Sequence, residues 1–276
     1  MSDVDRSPPE HRDPLPSAAD GPGQDTTGSR NAAPVGWWIS GAGRWWLLPL
    51  ISGLATAALL AFLTWQVVVR GPLIAWDWPL HVYVDARQPS GFPREVLNGI
   101  ASLGGQRLYT LPIVVSVGAW VAWKQRNIRP LIAIGAGLAT VFFIGYWIKF
   151  SLARTAPHTG VDILHGEGQA FPSGHTANAT LTWILIVVVL FGAQGWKPDQ
   201  RRLRFWGTVA LTVVFVSGML MTLLDYHWFS DIPGGWLLGG LALAVSLAVL
   251  RLPVRWPVLR WPERSSPGHQ GDGDRG

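Results

Sequence analysis

Residues 171–178, FPSGHTAN, open directly into TANATLTWILIVVVLF at 176–191. Proline and glycine interrupt helices, serine caps them, and sixteen residues with few polar side chains follow. The join reads as the start of a membrane helix, with Ser173, Gly174 and His175 packed into its first turn.

The rest of the chain agrees with a membrane setting. Of 276 residues, 49% are hydrophobic and only 14% charged, with a mean hydropathy of +0.24. Many of the 17 tryptophans stand at the edges of apolar runs, among them Trp45, Trp65, Trp120, Trp196 and Trp206. Indole rings favour the headgroup layer, so these positions suggest aromatic belts. With no cysteine, disulfides and thiolate metal sites are excluded. The net charge of +5 sits in short loops between apolar runs, a pattern that fits membrane orientation and argues against nucleic acid as a partner.

Six apolar runs approach the ~20 residues that cross hydrocarbon. They lie near 46–69, 108–123, 130–150, 176–193, 205–224 and 232–250, the second being the shortest. The expected fold is therefore an all-α integral membrane protein with six transmembrane helices. The stretch between the first two runs, GPLIAWDWPLHVYVDARQPSGFPREVLNGIASLGGQR, suggests one or two interfacial helices. There Asp77, His81 and Asp85 recur at helical spacing, but Trp76, Trp78 and Tyr83 favour an amphipathic surface helix over a metal site. Residues 1–36 and 253–276, rich in Pro, Gly, Ser and charge, are expected to be disordered tails flanking one domain at 37–252.

Lys124, Arg126 and Arg129 follow the second run, Lys197, Arg201, Arg202 and Arg204 the fourth, and Arg251, Arg255 and Arg260 the sixth. The positive-inside rule makes these loops cytoplasmic, together with both termini, in a plasma membrane. Three outward segments then share one face. One carries Lys149 and Arg154, the second Ser173, Gly174 and His175, the third His227 and Asp231. Lysine and arginine supply charge for phosphate, and the amides of a helix start bind anions. His227, with a carboxylate four residues on, has the makings of an oriented nucleophile, and His175 of a proton donor. Asp225, also in this region, is expected to pair with Arg154.

These segments, K…RTAP, PSGH and HWFSD, resemble the motifs of the type 2 phosphatidic acid phosphatase superfamily of integral-membrane lipid phosphatases. Its pattern is K-x6-R-P, then P-S-G-H, then S-R-x5-H-x3-D, on six helices. The resemblance implies catalysis by His227 as a phosphohistidine, oriented by Asp231, with His175 as general acid. It also implies phosphate held by Lys149, Ser173 and Gly174, with no metal or cofactor. Two of the superfamily's arginines fall on Ala156 and Met221, and Leu220 replaces the serine before the second. Arg154 is the nearby candidate to take over one role. The implied substrate is a lipid phosphomonoester or diphosphate in the bilayer: phosphatidate, phosphatidylglycerophosphate or a polyprenyl diphosphate. A phosphoryl transferase, or a non-catalytic lipid-phosphate-binding protein on the same fold, would use the same residues.

Overall fold

The computed structural model describes residues 47–252. The expected tails at 1–36 and 253–276 lie outside them. Eight helices follow in order: α1 (Leu47–Val69), α2 (Asp77–Asp85), α3 (Gly91–Gly105), α4 (Arg107–Gln125), α5 (Arg129–Leu152), α6 (Gly174–Phe191), α7 (Gln200–Leu223) and α8 (Asp231–Arg251). Short 3-10 turns occupy Pro72–Ile74 and Pro157–Thr159, and there is no strand among the described residues.

Five helices, α1, α5, α6, α7 and α8, are long and apolar enough to cross a membrane. The second expected span forms as the helix α4, but it is not among those five. Arg107, Lys124, Gln125, Tyr109 and two tryptophans dilute its apolar character over 19 residues. The preceding stretch contains α2 and α3, two short helices. Local chemistry sets several boundaries. α7 starts at Gln200, ahead of its apolar run, because Asp199 Oδ1 accepts the N–H groups of Arg201 (2.9 Å) and Arg202 (3.0 Å). Arg126, in the left-handed region, ends α4.

α6 is central. It packs against α3, α4, α5, α7 and α8, while α8 also meets α1 and α5. The interior is built from Leu181, Leu185 and Val189 of α6, Leu238 and Ala242 of α8, and Ile134, Val141 and Ile148 of α5. Outward faces remain greasy: Leu54 and Phe62 on α1, Phe143, Trp147 and Phe150 on α5, and Phe215 on α7 are exposed. Lipid is as apolar as leucine, so dispersion and close backbone approach must hold such helices together. Gly235-x3-Gly239 supplies that approach. A Cβ at Gly235 would stand 2.6 Å from the Ser173 carbonyl oxygen, and one at Gly239 2.5 Å from Thr180 Cβ. α8 therefore lies tight against the first two turns of α6, which brings Asp231 to Ser173.

Candidate active site

Because the helices alternate in direction, the C-terminal ends of α1, α5 and α7 meet the N-terminal ends of α4, α6 and α8. α6 begins on a built cap. Ser173 Oγ accepts from the Thr176 N–H (3.3 Å) and its hydroxyl (3.0 Å), while the Ser173 N–H donates to the Asp231 carbonyl (3.0 Å). The N–H groups of Gly174 and His175 have no protein acceptor among the described residues, as expected for a first helical turn. Ser173 itself is fully buried.

The loop after α7 positions the histidine. Asp225 adopts the left-handed region, and the N–H groups of Tyr226 (3.0 Å) and His227 (3.2 Å) return to the Met221 carbonyl. His227 Nδ1 then faces Asp231 Oδ2 at 3.3 Å, and the same oxygen accepts the Trp228 N–H at 2.9 Å. A carboxylate only accepts, so Nδ1 carries the hydrogen and Nε2 keeps its lone pair. His175 is tied the other way: its Nε2 donates to the Ala101 carbonyl at 2.7 Å, leaving Nδ1 for proton exchange. The two imidazoles lie within electrostatic range of one another. Lys149 Nζ donates to the Gln169 carbonyl and is within range of Asp231.

Arg154 is placed otherwise than its sequence position suggests. It is 1% exposed, and its five N–H donors make five bonds within the protein. Nε and one Nη reach Asp162 (2.8 and 2.9 Å). The other donors reach Asp77 (2.7 Å), Asp231 (2.9 Å) and the Ser230 hydroxyl (2.8 Å). No donor is left for a phosphate, so the expectation that Arg154 binds phosphate is corrected: it clamps Asp231. Asp77 also accepts the Ser230 N–H (2.8 Å) and hydroxyl (2.6 Å). Burial raises the Asp77 carboxyl above its ordinary value, against the pull of Arg154 and Ser230. Burial acts the same way on Asp162, but the hydrogen bonds and charges of Arg154 and Arg70 outweigh it and leave that carboxyl below its ordinary value.

Asp225 does not pair with Arg154 either. It meets His81 Nδ1 at 2.8 Å, so Asp77 and His81 of α2 serve two different partners rather than one metal. Trp228 fills the space between, with Arg154 5.5 Å above its ring, His81 edge-on at 5.3 Å and its N–H on the Thr155 carbonyl (2.7 Å). Met221, at the position of a superfamily arginine, is buried with Ala101, Leu220, Leu224 and Ile232. An arginine there would enter an apolar cluster.

Sequence reading left out Arg107. Gly105, the last residue of α3, sits so close to His175 that any Cβ would collide with the ring, and Asn178 Nδ2 donates to the Gly105 carbonyl (2.8 Å). Two residues later the chain starts α4 with Arg107, beside the start of α6. A methyl on Gly174 would lie 3.6 Å from Lys149 Cε and 3.7 Å from an Arg107 Nη. The signal available was the GG pair, a mark of close backbone approach. It named no partner.

The fold and this cluster define a class: a helical membrane protein with a histidine–aspartate pair, a second histidine and cations gathered at one end of its helices. The PAP2 superfamily profile matches residues 130–254, which span the three motifs. The chain is 25% identical over 156 residues to phosphatidylglycerophosphatase B of Bacillus subtilis (strain 168), covering 55% of this chain and 72% of that protein. It also resembles the crystal structure of a transmembrane PAP2 type phosphatidylglycerolphosphate phosphatase from Bacillus subtilis. That likeness has a TM-score of 0.57 at 20% identity over 71% of this chain and 94% of the other, a likeness of fold.

Proposed function

We propose that the chain is a lipid phosphate phosphatase that works through a phosphohistidine, with phosphatidylglycerophosphate as the first substrate to test. The observation that carries the reading is the His227–Asp231 pair beside the unpaired amides of α6, with Lys149 at the same end. The relative's phosphatidylglycerophosphatase activity supports the choice of substrate.

In this scheme the Gly174 and His175 amides and the Lys149 ammonium hold the phosphate oxygens. Ser173 caps the turn that aims those amides. His227 Nε2 attacks phosphorus, the ester P–O bond breaks, and the leaving alkoxide takes a proton from His175 Nδ1. Asp231 stabilises the charge that develops on His227, as Arg154 stabilises Asp231. Water, losing a proton to His175, then attacks phosphorus, the P–N bond breaks, and inorganic phosphate and free His227 are released. No step calls for a metal. Purified protein should therefore release phosphate from a panel of phosphatidylglycerophosphate, phosphatidate and a polyprenyl diphosphate in excess EDTA. Activity that EDTA removes and magnesium or zinc restores would refute the metal-free scheme.

The proposal includes six spans, with α4 as the second, α2 and α3 along the interface, and the site facing outward across a plasma membrane. Lys124, Arg126, Arg201, Arg202, Arg204 and Arg251 all fall at the end opposite the site, which supports this orientation. The cysteine-free chain makes the test direct. His158→Cys, in an exposed turn near the site, should react with an impermeant thiol reagent on intact cells. Gln200→Cys, exposed at the other end, should react only after permeabilisation. The reverse pattern would overturn the orientation.

A further inference from the structure

We infer that Arg107 is the guanidinium of the phosphate pocket, supplying from α4 the charge that Ala156 and Met221 do not supply. The inference rests on the phosphatase reading and deepens it. Arg107 and Lys149 converge on Gly174, the first residue of α6, where two backbone amides lack acceptors. The two cations lie within electrostatic range of one another. Among the described residues no carboxylate bonds to Arg107. Its named contacts are the Tyr146 hydroxyl at 3.4 Å and the Tyr146 ring at 5.4 Å, and neither neutralises it. The contrast with Arg154 is direct: one guanidinium has spent all five donors on the protein, and the other has spent one, on a long bond. Arg107 also borders a cavity of about 280 Å³ with Leu111, Phe142 and Asn178, so there is open space beside it. Two adjacent cations with no carboxylate bonded to either, beside free amides, form a site that a phosphate dianion stabilises.

The bland alternative is an arginine that anchors α4 at the headgroup layer with its stem along apolar surface. An anchor has no effect on anion affinity, and this separates the two. In Arg107→Met, kcat/KM for phosphatidylglycerophosphate should fall about ten- to a hundredfold, the loss of one charge-assisted hydrogen bond, and the inhibition constant for orthovanadate should rise in step. Arg107→Lys should recover part of both. Arg87→Met, an exposed arginine stacked on Tyr83, is the control and should match wild type. If Arg107→Met does not fold, Arg107→Gln is measured in its place. The inference is overturned if kcat/KM and the vanadate constant stay within about twofold of wild type, or if kcat/KM falls while vanadate inhibition is unchanged. Failure of the phosphatase reading looks different: wild type then releases no phosphate from any lipid on the panel. In that case the thermal shift induced by orthovanadate decides. A shift in wild type that is lost in Arg107→Met supports the anion site. An equal shift in both, or none in wild type, overturns it.

Discussion

Arg154→Ala should lower stability by about 3–5 kcal/mol, the range for breaking a buried charge pair by removing one partner. Asp231 is 0% and Asp77 2% exposed, so both would be left buried without the guanidinium that bonds them. Arg154→Lys keeps the charge but has three donors and no planar fork, and it should recover only part of the loss. The kinetic signature follows from what the guanidinium touches. It holds Asp231, which holds His227, and makes no contact with phosphate; kcat should therefore collapse in the protein that still folds, with KM and vanadate affinity little changed. A melting temperature equal to wild type with a raised KM would mean that Arg154 binds phosphate, and the clamp would be wrong.

The second large effect is at His227. His227→Ala should reduce turnover by roughly 10⁴-fold or more, since removing a nucleophile forfeits the covalent route as a whole. Stability should change little: the ring is part-exposed, and its named side-chain partner, Asp231, keeps its bonds to Arg154 and the Trp228 N–H. Wild-type melting with absent turnover is the expected pair of results. Residual turnover near wild type would assign the chemistry to another group.

Much of this site is legible in the sequence because its key relations are local. The four-residue spacing of His227 and Asp231 is short enough to predict their contact, and the cap at Ser173 follows from P-S-G before an apolar run. Five spans follow from length and apolarity. The place of Arg154 is not legible in this way: Asp162 is eight residues on, but Asp77 and Asp231 lie 77 residues away on either side, and no local pattern ties them to it. Asp77 in turn looked like the polar edge of a surface helix, although its carboxylate points into the protein. Nothing in the sequence ties Asp225 to His81, 144 residues earlier, rather than to Arg154. Arg107 reaches Gly174 only through the docking of Gly105 on His175, a tertiary event. The common cause is charge pairing across distant segments, which hydrophobic periodicity does not record.

The stereochemical course at phosphorus tests the central claim most directly. A lipid phosphate carrying a chiral, isotopically labelled thiophosphate would be hydrolysed in labelled water, and the configuration of the released thiophosphate determined. Two in-line displacements, first by His227 and then by water, predict net retention. Inversion would mean that water attacks phosphorus directly, and would contradict a phosphohistidine intermediate.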